Sequence, residues 1–351
     1  MTQVTIIDFD ARTVEGTPDP VGGTILIDVD RLPDALGWEL TPRGLCRQHA
    51  CVPVADIDAL MVGDQLDLVA VAGALGRPAV VDVEAGLVAV ALPAELRRQA
   101  IEELRAPAFE LPDVEGTLHS LGEWAGQKKV LVTFSSWCGC RYDLPGWQAL
   151  HDELSPDDFT VVAVAIDRSA EDVTPWIDGI TMPVLYDPNH VLTESYAISN
   201  VPTVVWIDEE DNIARPNGVA FGSDTFVDFT GVESGPHLEE IRRWARHGEV
   251  PITDEQARSA VGDLSEDEVL ARLHFRLASE AYRRGDEEVT RRHVLRASEL
   301  APDDLTIWRA GMPLIGEDPF GDTFLERYDE WKGKGMPYHG LQAVRRGQPP
   351  A

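Results

Sequence analysis

Residues 131–145 read Leu-Val-Thr-Phe-Ser-Ser-Trp-Cys-Gly-Cys-Arg-Tyr-Asp-Leu-Pro. The run from Val130 to Phe134, preceded by Lys128 and Lys129, is apolar in the manner of a buried strand. Ser135 and Ser136 then lead to Trp137, Cys138, Gly139 and Cys140, and beyond Pro145 the sequence predicts a helix to Leu154. A cysteine where a strand gives way to a helix N-terminus has its thiolate favoured by unpaired amides and the helix dipole. The thiolate is the nucleophile in disulfide exchange. The plain alternative is a buried pair of cysteines acting as small apolar side chains, and a glycine between them at such a junction suits packing poorly. Helical residues two apart point about 200° away from each other, so Cys138 must lie just outside the helix to bond Cys140.

The segment resembles the active site of the thioredoxin superfamily in its TlpA/ResA-like redoxin branch, which carries Trp-Cys-x-x-Cys-x-x-Glu-x-Pro after the strand. Trp137 and Cys138 match from the left, and Cys140, Asp143 and Pro145 match from the right. One residue fewer separates the cysteines, and Asp143 stands for the glutamate. Residues 107–121 resemble the entry segment of TlpA-like domains, and Gly126-Gln127-Lys128 its turn. Val201-Pro202-Thr203 precedes the strand-like VVWID; in the superfamily that proline is cis and faces the cysteines.

The resemblance implies a thiol–disulfide oxidoreductase without a cofactor, acting on a protein or small-molecule thiol or disulfide. Cys138 would attack, Cys140 would resolve the mixed disulfide, Pro202 would shape the substrate groove, and Trp137 would form part of its wall. Asp143, three residues after Cys140 and so on its helical face, is a candidate proton shuttle for that thiol. The alternative for Asp143 is a solvated surface carboxylate. Two other functions remain open: a thiol peroxidase, antioxidant in role, using Cys138; or an adaptor gripping a soft metal at Cys138/Cys140 or at Cys46, His49 and Cys51.

The chain has 351 residues, 44% hydrophobic and 26% charged, which is enough for two or three domains. Its formal net charge of -31 argues against nucleic-acid binding through phosphate neutralisation. Such acidity fits either a salt-rich habitat or an acidic proteome. The N-terminal residues 1–16 lack the basic and apolar regions of a signal peptide, and no apolar run approaches the roughly 20 residues of a membrane span. The expectation is a cytoplasmic protein without a membrane partner.

Its four cysteines fall in two close pairs, Cys46/Cys51 and Cys138/Cys140. For Cys46, His49 and Cys51 the readings are a second redox pair, part of a metal site with no fourth ligand at motif spacing, or ordinary loop residues.

The expected fold class is α/β: a thioredoxin-like central domain over 104–248, a small α+β N-terminal domain over 1–103, and an all-α region over 249–351. Strands are predicted at 4–10 and 24–29, a helix at 66–75, and a hairpin over 79–83 and 87–92. That pattern resembles the copper amine oxidase N-terminal-like module and implies only a small α+β domain, with no copper chemistry. The continuous apolar run 159–167 predicts a strand buried on both faces. Residues 217–235 show no period and read as an insertion near the active-site edge. Residues 271–299 place Leu273, Leu277, Ala281, Val289, Val294 and Ala297 at helical spacings around Gly285-Asp286, resembling one tetratricopeptide-like helix pair. A single pair is expected to pack on the redoxin domain. The arginine pairs at 242, 283 and 291 read as solvated helix faces, or as a patch for a protein partner.

Overall fold

A computed structural model describes residues 2–343 and 345. The chain divides into two compact units. Among the described residues no helix is long and apolar enough to cross a membrane.

The first unit takes residues 1–94, 265–302 and 314–316. Its seven-stranded sheet runs, edge to edge, Met61–Val62, Gln65–Asp67, Thr24–Asp28, Ala11–Asp19, Thr2–Ile7, Leu87–Val90 and Ala79–Asp82. The strand Ala11–Asp19, absent from the sequence reading, pairs antiparallel with Thr2–Ile7. Only two of its nine residues, Ala11 and Val14, are hydrophobic, which hides it from a pattern search. The predicted helix appears at Leu68–Ala74, capped by Asp67, which accepts hydrogen bonds from the Val69 and Ala70 amides.

The helix pair Glu266–Arg283 and Glu287–Leu300 also belongs to this unit, which corrects its expected place on the redoxin domain. Ser265 and Glu268 form a capping box at its start, and Asp286 caps the second helix. All six apolar residues singled out by spacing are buried. The reason for the placement is polar as well as apolar. Arg276 donates to the Val90 carbonyl at 3.3 Å, and His293 Nε2 lies 2.9 Å from the Asp82 carboxylate.

The second unit takes residues 95–264, 303–313 and 317–351. The C-terminal region 249–351 is thus divided between the units. The central sheet contains β1 (Lys128–Phe134), β2 (Phe159–Ala165), β3 (Val184–Tyr186), β4 (Val204–Ile207) and β5 (Ile213–Gly218). Its order is β3-β2-β1-β4-β5, with β1 parallel to β2, β2 parallel to β3, and β4 and β5 antiparallel. β2 is buried at every residue, as its unbroken apolar run requires.

Helices flank the sheet. α1 (Leu144–Leu154) has Pro145 in its first turn, where the missing N–H costs no hydrogen bond, and buries Leu144, Trp147, Leu150 and Leu154. α2 (Val191–Ser195) precedes β4, and α3 (Ser234–His247) follows β5. Trp244 of α3 stacks on Trp206 of β4 with ring centroids 5.0 Å apart. Arg242 and Arg246 pair with Glu153 of α1, each at 2.9 Å, so Arg242 bridges two helices within this unit. These pairs are partly exposed and contribute little to stability, at roughly 0–1 kcal/mol each. α4 (Leu305–Gly311) and α5 (Asp322–Gly333) complete the unit, burying Trp308, Met312, Phe324 and Trp331 together.

Candidate active site

β1, the central strand, delivers the cysteines just beyond its C-terminal end. Beyond Phe134 the chain turns through Ser135 and Ser136, held by one carboxylate. Asp167, just past β2, accepts from the Ser136 amide at 2.9 Å and from both serine hydroxyls. Burial pushes the Asp167 carboxyl up to about 6, against these hydrogen bonds. It was not singled out in the sequence, where it reads as one more acidic residue after a strand.

Cys138 is the N-cap of the single turn Gly139–Asp143 that leads into α1, and its Sγ accepts from the Cys140 amide at 3.3 Å. It therefore sits just outside the helix, as its spacing from Cys140 demands. Its thiol points at the Val201 carbonyl, 3.8 Å away. The Val201–Pro202 bond, at the entry to β4, is cis. Cys138 and Cys140 are both free and buried, 5% and 3% exposed.

Burial opposes ionisation of Cys138. The hydrogen bond from Cys140, the Arg309 guanidinium and the Cys140 amide outweigh it and bring the thiol down to about 7. Cys140 goes the other way: burial, then the Cys138 hydrogen bond and charge, hold it well above an ordinary thiol. The two thiols differ, and Cys138 is the one that ionises first.

Asp143 is 1% exposed, which removes the surface-carboxylate reading. Burial raises it to about 6, although the Ser223 hydroxyl and amide bond to it. Its Oδ2 has no hydrogen-bond partner among the described residues. Its charge acts on both thiols, opposing their ionisation.

Segments far along the chain complete the site. Residues 219–232 form part of a cavity of about 280 Å³ that has Cys138, Gly139 and Cys140 on one side. Gly139 allows a close approach: a Cβ there would meet the Phe226 ring at 2.9 Å, so that ring would have to move. Gly146 and Gly222 allow a second close approach, since a Cβ on Gly146 would lie 1.9 Å from the Gly222 carbonyl oxygen.

Arg309 lies opposite. The Leu305 amide donates to the Ser199 carbonyl at 3.0 Å, which ties α4 to the loop before Pro202. Arg309, 6% exposed, sits with its guanidinium carbon 5.9 Å from the Trp137 ring centre and 3.7 Å from that of Phe324. Trp137 is itself buried. Neither Trp137 nor Pro202 is among the described residues lining the cavity; Asn200 and Val201 are. Arg309 has no motif around it, and only its place beside apolar Leu305, Ile307 and Trp308 hints at burial.

Cys46 and Cys51 lie in the first unit. They face each other across the hairpin Gly44–Arg47 and Ala50–Val52 and are joined in a disulfide. His49 is exposed at the tip between those strands. With both sulfurs so bonded, the three-residue metal reading loses its two thiolates in this form of the protein. Among the described residues no group of three or more His, Cys, Asp or Glu is placed to hold a metal ion.

The parallel β3-β2-β1 half, the antiparallel β4 and β5, the cysteine-capped turn and the cis-proline beside it define a thioredoxin-like redox domain. Residues 103–215 match the model of the AhpC/TSA family. Similar curated proteins include thiol-disulfide oxidoreductase ResA of Geobacillus thermodenitrificans, 25% identical over 39% of this chain and 76% of that protein. Thioredoxin-like protein YneN of Bacillus subtilis is 30% identical over 31% of this chain and 66% of its own length. A solved thioredoxin domain of a thiol-disulfide oxidoreductase from Bacteroides vulgatus is 25% identical, covering 33% of this chain and 86% of that one, with a TM-score of 0.31.

Proposed function

We propose that this protein is a thiol–disulfide oxidoreductase of the ResA/TlpA-like redoxin type, in which Cys138 and Cys140 perform dithiol–disulfide exchange. The observation that carries this is a pair of adjacent free thiols at a helix N-terminus, with Cys138 capping the turn and its Sγ accepting from the Cys140 amide at 3.3 Å. The Cys138 thiolate attacks one sulfur of a substrate disulfide, forming a mixed disulfide and expelling a substrate thiolate. Cys140 then loses its proton, with Asp143 as acceptor, and attacks Cys138 Sγ. The second substrate thiolate leaves, and the enzyme is left with a Cys138–Cys140 disulfide. Two electrons pass from the protein to the substrate.

The proposal includes Cys46 and Cys51 as a second redox pair that exchanges with the first. Its support is that they form a disulfide and are the chain's only other cysteines.

Reduction of insulin disulfides with dithiothreitol as electron donor tests the main reading. Wild type is expected to accelerate it, and Cys138→Ser to abolish the acceleration. Trapping of a substrate adduct by Cys140→Ser, but not by Cys138→Ser, is expected as well. No acceleration, or no adduct, refutes the assignment.

A second reading is favoured by Arg309, because a guanidinium beside a low-pKa thiolate also suits reduction of a peroxide, with Cys138 passing through a sulfenic acid that Cys140 condenses. Stopped-flow reaction of the reduced protein with hydrogen peroxide and with a disulfide separates the two.

A further inference from the structure

The cavity beside Cys138 is unlike the rest of this acidic protein. Against a formal net charge of -31, the described residues that line it include Arg309 and Arg345 and no aspartate or glutamate. Most of its wall is apolar: Phe226, Phe229, Phe324, Tyr328 and Trp331 surround it with rings. Arg345 is brought there by backbone pairing, since Leu341 donates to the Asn217 carbonyl at 2.7 Å and bridges to Gly218 at the end of β5. Its Nε is buried with no hydrogen-bond partner among the described residues. Arg309 directs Nε and Nη2 to the Pro319 carbonyl, at 3.2 and 3.0 Å, which fixes the guanidinium in place.

Leaving a buried guanidinium N–H without an acceptor is costly, and the charge itself more so, unless an anion comes to it. Rings around a cationic head select a molecule with an apolar body and a negative group. The volume of about 280 Å³ lies at the small end of ligand sites, which span roughly 300–1,000 Å³, and suits one ring with a short substituent.

We propose that the substrate of Cys138 is a small organic disulfide with a ring-sized apolar body and a carboxylate or similar anion, the body lying among the aromatic side chains and the anion at Arg345 and Arg309. This rests on the exchange reading given above and adds the substrate class. The step is the same two-electron exchange. Cys138 bonds to the substrate sulfur nearer the cavity, the other half leaves as a thiolate, and attack by Cys140 releases the retained half as a second thiolate. One substrate disulfide becomes two thiols, and the dithiol becomes a disulfide.

The test uses the full-length reduced protein and three small disulfides: 5,5′-dithiobis(2-nitrobenzoate), aromatic and anionic; 4,4′-dithiodipyridine, aromatic and neutral; and cystamine, aliphatic and cationic. Each stopped-flow rate is divided by the rate of dithiothreitol with the same compound, which removes intrinsic reactivity. The anionic aromatic compound is expected to exceed cystamine at least about tenfold on this scale, the usual worth of one charge-assisted contact. Arg345→Gln is expected to lower the anionic-to-neutral ratio by a similar factor, and Arg345→Lys to restore most of it. Equal normalised rates in wild type, or an unchanged ratio in Arg345→Gln, overturns the inference while leaving exchange standing. Insulin reduced with no preference among the small compounds has the same meaning. Failure of all three compounds and of insulin refutes the exchange reading itself.

Discussion

Arg309→Met removes a cation whose charge lowers the Cys138 thiol while keeping an unbranched side chain among Trp137, Phe320 and Phe324. In the native site Cys138 is brought from 9.0 down to about 7, so at neutral pH about half of it is thiolate. Three influences lower it, and the guanidinium ranks second, behind the hydrogen bond from Cys140. A neighbouring opposite charge is worth about 1–3 pKa units, and taking the lower end puts the variant near 8. The thiolate fraction at pH 7 then falls from about one half to about one tenth, and alkylation slows about fivefold. The assay is the rate of iodoacetamide alkylation of Cys138 against pH in a Cys46→Ser/Cys51→Ser background, which keeps the hydrogen bond from Cys140, with and without Arg309→Met. The inflection is expected to move up by about one unit while the rates converge above pH 9. Arg309→Lys, which keeps the charge, is expected to lie between. An unmoved inflection refutes the electrostatic role of Arg309. A deficit that persists at high pH would instead mean that the arginine controls access to the thiol.

Asp143 is raised from 3.8 to about 6, so the unfolded state loses its proton first and stability falls as pH rises between those values. Asp143→Asn is expected to narrow the fall in guanidinium unfolding stability between pH 4 and pH 7 by on the order of 2 kcal/mol, leaving the similar contribution of Asp167. An unaltered pH profile refutes the buried ionisation. Gly139→Ala forces the Phe226 ring aside, and its unfolding midpoint is expected to fall by the equivalent of about 1–3 kcal/mol, as overpacking does. A midpoint equal to wild type would show that ring to be loosely held. Cys46 and Cys51 are five residues apart in sequence, so their disulfide closes a short loop and contributes about 2 kcal/mol to the oxidised protein. Cys46→Ser/Cys51→Ser is expected to lose that and, under the proposed exchange between pairs, to slow turnover of the Cys138–Cys140 disulfide. Unchanged turnover removes the second pair from the mechanism.

The comparison of chain and fold turns on how far apart the cooperating residues are. Val130 to Pro145 was legible because each feature is local: a strand's apolar run, a cysteine at the strand–helix junction, a proline fit for a first helical turn. The unbroken β2 run and the spacing of Leu273, Leu277 and Ala281 were legible for the same reason. Ala11–Asp19 was not, since it is held by its neighbours' ladders more than by any apolar pattern of its own.

Of the cavity, the sequence marked only the insertion over 217–235 near the active-site edge, and not the wall that faces it. Residues 226–232 have no period, and Arg309 sits in a short helix whose only local message is that it is buried. Backbone bonds from Leu305 to Ser199 and from Leu341 to Asn217 bring those segments to the cysteines, and neither partner announces the other in sequence. The sequence by itself determined where the thiols stand, at a strand–helix junction, because helix-end electrostatics acts within one turn. Only the tertiary structure decided what faces them, because a buried charge acts through space, and the chain must fold before Arg309 comes near Cys138.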